Sequence, residues 1–317
     1  MVKRGGTTVI QPCNPTSSTP VRDSLARTLA APFASALILS LALTAAACAQ
    51  SKPQEAAAVE DTSAAMAHEH AHDSPTPSPA VGRAGGGQEV VTRTVEYATI
   101  GGKPVQGALA QPKGAAKGGP AIILVHEWWG LNDNIRDLAR QFASHGYTAL
   151  AVDLYGGKSA QSPDAAQALM KEAMAHREAA EDNLRQAYAF LHKEGAGKVG
   201  VVGWCFGGGW SLQTGLLLPE EIDAVVMYYG FPESDKAKLA RLKAPLLGLF
   251  GADDQGIKVE MVRQFEATLK ELGKSVEIHL YPGAGHAFAN PSGGNYVKAA
   301  ADEAWQLTLD FFAKHLK

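Results

Sequence analysis

The hydrophobic pattern of this chain changes character at Val90. Val90–Tyr97 and Val105–Ala110 alternate apolar and polar positions, and Gly101-Gly102 lies between them. Period 2 with a glycine turn predicts an antiparallel hairpin with one wet face. Ala121–Val125 is different: every position is apolar, as in a strand buried on both faces. Thr148–Val152 repeats that pattern, and Val199–Gly203, Ala224–Tyr228, Leu246–Phe250 and Val276–Tyr281 read as further strands. Between them the period lengthens. Asn134–His145 is helical and stops at Gly146, Pro163–Lys193 is a long helical region with one break, and Val259–Leu272 and Ala299–His315 are helical too. Alternating strands and helices around doubly buried strands predict an α/β fold, a doubly wound and mostly parallel sheet. In such sheets chemistry collects at the carboxyl ends of the strands.

The first ninety residues follow other rules. Leu29–Ala47 is an apolar, alanine- and leucine-rich run preceded by Arg22 and Arg27, the pattern of an export signal. Leu43-Thr44-Ala45-Ala46-Ala47-Cys48 resembles a bacterial lipoprotein box with Cys48 as the acylated residue. Cleavage by an ordinary signal peptidase near Ala47 or Ala49 is the other reading. Either predicts an exported protein, periplasmic or held at a membrane through Cys48. Residues 49–88 are rich in Ala, Pro, Ser, Gly and His and lack large apolar side chains, which predicts a disordered tether. Within it His68, His70 and His72 alternate; a solvated linker is the plain reading and a metal-binding tract the sharper one. The expected organisation is a signal over 1–48, a tether over 49–88 and one catalytic domain over 89–317. A formal net charge of −3 over 317 residues offers no basic excess for nucleic acid. Of the three cysteines only Cys205 lies in the expected domain, so no internal disulfide is available there.

Cys205 stands in Gly203-Trp204-Cys205-Phe206-Gly207, directly after a predicted strand and before Gly208-Gly209. G-x-nucleophile-x-G marks a strained strand-to-helix turn, with glycines where the helix packs closely against the strand. Acyl transfer also needs a base and a group to orient it, in the chain order nucleophile, acid, histidine for α/β-hydrolase sheets. Asp254, in Gly251-Ala252-Asp253-Asp254, and His286, after Gly283-Ala284-Gly285, follow later strands in that order. Asp253 is the local competitor of Asp254. His126-Glu127-Trp128-Trp129-Gly130 follows the first buried strand, where this fold places an oxyanion donor. The backbone N–H groups of Trp128 and Phe206 are the expected oxyanion pair. Trp128 and Trp129 read equally as core or as pocket wall, Tyr155 and either Tyr228 or Tyr229 as pocket lining, and His126 as structural. This chemistry requires no metal or organic cofactor.

These segments, with Asp153-Leu154-Tyr155 and Gly285-His286-Ala287-Phe288, resemble the dienelactone hydrolase (carboxymethylenebutenolidase) family over about residues 90–317. The resemblance implies an α/β-hydrolase fold, a Cys205–His286–Asp254 triad, and a Glu127 that contacts the resting thiol and deprotonates it when substrate moves the carboxylate. The implied partner is a small ester or lactone. The family's dienelactone enzymes hold a substrate carboxylate with two arginines. One of those places is Asn290 here and the other falls near Ala165, so Asn290 is expected to line the substrate site without a guanidinium. Arg177 or Lys158 is the candidate replacement. The alternatives are a general esterase or thioesterase and a non-catalytic or metal-scavenging lipoprotein.

Overall fold

The computed structural model describes residues 85–317. The leader, Cys48 and the His68–His72 tract lie outside the described residues. No helix among the described residues is long and apolar enough to cross a membrane. Gly86 N–H donates to Ser144 Oγ at 2.9 Å and Gln88 N–H to the Ser144 carbonyl at 3.3 Å, so the chain is tied down just before the first strand.

The hairpin is β1 (Val90–Ile100) and β2 (Lys103–Pro112), antiparallel, with a bulge between Glu96 and Ala98. Gly101 and Gly102 both take positive φ in the turn. Six parallel strands follow: β3 (Ala121–Val125), β4 (Thr148–Val152), β5 (Val199–Trp204), β6 (Ala224–Tyr228), β7 (Leu246–Gly251) and β8 (Val276–Tyr281). The sheet order is β1-β2-β4-β3-β5-β6-β7-β8, with β2 antiparallel to β4. Every residue of β3, β5, β6 and β7 is buried, matching their continuous apolar runs. Edge strand β8 is less covered and carries Glu277 and His279 on its wetter positions.

The connecting helices are α1 (Asp133–Ser144), α2 (Pro163–Ala175), α3 (Arg177–Lys193), α4 (Phe206–Leu217), α5 (Lys236–Leu239), α6 (Val259–Glu271) and α7 (Lys298–Leu316). The expected break in 163–193 falls at His176, whose backbone (φ −111, ψ 45) leaves the helical region. The short α5 is not visible in the hydrophobic pattern; Asp235 starts it by accepting from Ala237 N–H at 2.8 Å. Strand periodicity puts helices on both faces. A Cβ on Gly200 would sit 2.7 Å from Phe312 of α7, whereas one on Gly203 would sit 2.0 Å from the Gly207 carbonyl of α4. An odd separation along a strand points to opposite faces, so α7 and α4 cover opposite sides of β5. Chain order reverses between β3 and β5, and the crevice at their carboxyl ends is the topological switch point of the sheet.

Candidate active site

Cys205 occupies that switch point. It follows β5, is fully buried, and has φ 57 and ψ −118. Its N–H donates to the Tyr228 carbonyl at 3.0 Å, and its carbonyl accepts from Gly209 N–H at 3.2 Å as the first bond of α4. The glycines around it answer to contacts. Besides the Gly203 approach, a Cβ on Gly207 would lie 2.2 Å from the Val125 carbonyl, and one on Gly208 2.4 Å from the Tyr228 carbonyl. Gly209 is not constrained in this way; its nearest neighbour would be 3.6 Å away. The helix thus begins almost in contact with β3 and β6, which holds the cysteine at a helix N-terminus where unpaired amides and the dipole favour a negative charge.

Among the described residues, the non-glycines with positive φ are Cys205, Tyr229 and Ala287. Each follows a strand at the same sheet edge, beside the expected nucleophile and histidine. Such backbone costs on the order of 1–3 kcal/mol per residue and persists only where the surroundings enforce it.

His286 lies in the loop after β8. Its Nδ1–H donates to Asp254 Oδ2 at 2.8 Å, and both side chains are buried. Asp254 Oδ1 accepts from Gly256 N–H at 2.9 Å and Ile257 N–H at 2.8 Å, which fixes the carboxylate. Asp253 is exposed, so burial separates the two aspartates. The loops after β7 and β8 are joined by Asp253 N–H donating to the Ala284 carbonyl at 2.9 Å. Gly251 permits this, since a Cβ there would meet that carbonyl at 2.3 Å. Burial opposes a charged His286, but the charge of Cys205 and the hydrogen bonds to Asp254 and Cys205 outweigh it. The imidazole is held well above its ordinary range.

The loop after β3 forms the other wall. His126 Nδ1–H donates to the Glu127 carbonyl at 2.6 Å, and its Nε2 accepts from Leu154 N–H at 3.1 Å. With both nitrogens engaged and burial lowering its pKa, His126 is a neutral strut between the loops after β3 and β4. Glu127 is buried. Its Oε2 accepts from Asn290 Nδ2 at 2.8 Å and its Oε1 from Tyr229 Oη at 3.5 Å. Asn290 Oδ1 in turn accepts from Ser292 N–H at 2.9 Å.

Sequence comparison bears directly on this geometry. The model of the "Dienelactone hydrolase family" matches residues 105–316. The chain belongs to the dienelactone hydrolase family. "Protein usf" of Aquifex pyrophilus is 35% identical over 230 residues, covering 70% of this chain and 98% of that protein. A protein of Aquifex aeolicus named "Putative carboxymethylenebutenolidase" is 33% identical over 231 residues, with the same two coverages of 70% and 98%. The solved dienelactone hydrolase of Anabaena variabilis superposes with a TM-score of 0.54 at 21% identity, covering 73% of this chain and 100% of that one, a likeness of fold. The protein is therefore a carboxylic ester hydrolase of α/β-hydrolase fold acting on small molecules.

The positions expected for the carboxylate clamp hold no free cation among the described residues. Asn290 is buried with its amide on Glu127, so it meets an acid of its own chain. Arg177 Nε donates to Glu181 at 2.9 Å and Nη2 to Gln213 at 2.5 Å, while the guanidinium lies 5.4 Å from the Trp210 ring centroid. Lys158 is exposed and paired with Glu172 at 3.2 Å. Both candidate replacement cations are thus engaged elsewhere. Trp128 and Trp129 are buried edge to face, 5.1 Å between centroids, as parts of the core.

Of the two tyrosines left open by sequence, Tyr229 faces the site and stacks edge-on to His286 at 5.2 Å. Tyr228 turns to the opposite face and donates to the Ala304 carbonyl at 2.9 Å. Strand parity carried that signal. The Asn290–Glu127 bond had none, because it spans the chain from the first buried strand to the last loop. Asn290→Leu is expected to lower stability by about 1.5–3 kcal/mol, the range for a hydrogen bond to a charged group. It is expected to leave the ratio of carboxylated to neutral substrate turnover unchanged; thermal unfolding and paired kinetics would check both.

Proposed function

We propose that this enzyme hydrolyses small uncharged esters or lactones through a Cys205–His286–Asp254 triad. The observation that carries the reading is the buried His286, bonded to Asp254 at 2.8 Å and held well above its ordinary pKa, against burial, first by the charge of Cys205 at the strained turn. The raised imidazole pKa favours an imidazolium opposite a thiolate. Cys205 Sγ attacks the carbonyl carbon, and the carbonyl electron pair moves onto oxygen, where the Trp128 and Phe206 amides receive it. The intermediate collapses, the bond to the leaving oxygen breaks, and the proton on His286 goes to that oxygen. Water then attacks the thioester while His286 takes its proton, and the acid and the thiolate are released. Asp254 holds the ring in one orientation throughout. Glu127, fixed by Asn290 and Tyr229, tunes the thiol: a carboxylate beside it opposes a thiolate and favours an imidazolium.

The same geometry supports a neutral acyl group. Glu127 brings a carboxylate to the site, Asn290 stands where the family's dienelactone enzymes have arginine, and Arg177 and Lys158 are paired elsewhere. A second anion brought there without a guanidinium meets like charge and no bidentate partner. Matched lactones with and without a carboxylate provide the test. The neutral one is expected to have the higher kcat/KM by about tenfold or more, equivalent to roughly 1.4 kcal/mol. Preference for the carboxylated lactone would refute the assignment of substrate class. Export through the leader, with Cys48 as the lipidated residue, belongs to the same proposal and is checked by mass spectrometry of the mature N-terminus.

A further inference from the structure

Tyr155 is fixed on every side except at its hydroxyl. It follows β4, and its N–H donates to Asp153 Oδ1 at 2.8 Å while Asp153 Oδ2 accepts from Gly157 N–H. That turn sets the backbone. The ring packs edge-on to His126, 4.6 Å between centroids, and against Phe206 at 5.5 Å. The loop after β3 also closes on it: a Cβ on Gly130 would lie 3.2 Å from the ring. The two segments that grip Tyr155 are therefore the ones that carry the Trp128 and Phe206 amides.

Its hydroxyl is buried and has no hydrogen-bond partner in the protein. Other buried tyrosines near the sheet show what a satisfied phenol looks like here. Tyr97 Oη donates to Asn183 Oδ1 at 2.7 Å, and Tyr228 Oη to the Ala304 carbonyl. Tyr147 and Tyr281 also lack partners, but their rings pack among the core aromatics Phe142, Phe312 and Phe288. A buried hydroxyl without a partner is costly, and its persistence in a rigid setting calls for an occupant that completes it.

We infer that the Tyr155 hydroxyl donates a hydrogen bond to the substrate's acyl oxygen once Cys205 has attacked, as a third donor beside the Trp128 and Phe206 amides. The inference rests on the cysteine-nucleophile reading above. No proton is transferred: the carbonyl electron pair moves onto the oxygen, Tyr155 O–H donates to it, and the bond is released when the carbonyl re-forms. Burial first, with the charges of Cys205 and Asp153 adding to it, holds the phenol well above its ordinary pKa, so it meets the oxyanion as a donor.

Tyr155→Phe keeps the ring and removes only the donor. Two reactions of Cys205 separate the roles. Hydrolysis of p-nitrophenyl acetate passes through an oxyanion, whereas alkylation by iodoacetamide uses the same thiolate and forms none. The expected result is a fall in kcat of about 10²-fold, the scale of one oxyanion donor, with KM and the alkylation rate within twofold of wild type. The melting temperature should be unchanged or higher, since an unpartnered buried hydroxyl is gone. A kcat within twofold of wild type would overturn the inference. So would alkylation falling in parallel, which would make Tyr155 a tuner of the thiol. Hydrolysis that survives Cys205→Ala would instead remove the cysteine reading itself, and this inference with it.

Discussion

Cys205→Ala is expected to reduce hydrolysis of small activated esters by about 10⁴-fold or more, the scale for losing a nucleophile that works as a unit with its base. The fold should survive. Cys205 already sits at φ 57, and alanine bears the same backbone strain there as cysteine. The lost atom is one buried sulfur, worth on the order of 1 kcal/mol. A second readout follows from His286. Burial pushes its pKa down, and among the groups that raise it are the Cys205 charge and the bond to Cys205. Removing them should lower the imidazole titration in the variant, measurable by NMR. The sign for stability follows. With a folded pKa above the unfolded value of about 6.5, His286 stabilises the fold fully below that value, and this is lost as pH rises through the folded pKa. In Cys205→Ala that contribution should be smaller and should be gone at a lower pH. An unchanged rate of hydrolysis would exclude Cys205 as the nucleophile.

Gly207→Ala is expected to damage stability and activity together, while Gly209→Ala, two residues along the same helix, does neither. A Cβ at Gly207 would lie 2.2 Å from the Val125 carbonyl and 2.5 Å from the His126 carbonyl, both backbone. No side chain can rotate away, so α4 must move off β3. Overpacking of this kind costs about 1–3 kcal/mol or more. The same shift displaces Cys205 from the loop that carries Glu127 and Trp128, and a misplacement of about 1 Å costs roughly 10²-fold in rate. At Gly209 the added methyl finds ordinary contact at 3.6 Å, and alanine favours the helix by about 1 kcal/mol. Thermal melts and ester hydrolysis on the two variants would check this. Equal behaviour would mean that the elbow is not held by the approach of α4 to β3.

Much of this molecule is legible along the chain. Continuous apolar runs such as Ala121–Val125 and Val199–Gly203 specify doubly buried strands, because polar side chains there have no face to escape to. Glycine and cysteine around position 205 specify the turn, since the backbone clashes at Gly203, Gly207 and Gly208 arise from strand–helix geometry that is the same wherever this turn occurs. The chain order Cys205, Asp254, His286 then follows from placing each residue after a strand. Choices between neighbours were only partly legible. Asp254 over Asp253 was decided by burial and by the amides of Gly256 and Ile257, and Tyr229 over Tyr228 by which face of the sheet each enters.

What sequence determined by itself is therefore the strand–helix alternation, the elbow and the order in which Cys205, Asp254 and His286 follow their strands, all properties of local period and local sterics. What only the tertiary structure decided is how side chains distant in sequence share one small volume. Asn290 meets Glu127 across 163 positions of chain, and Tyr155 is wedged between Phe206 and the loop after β3 with its hydroxyl unpartnered. Such contacts leave no periodic trace, because they depend on where separate loops converge at the carboxyl edge of the folded sheet.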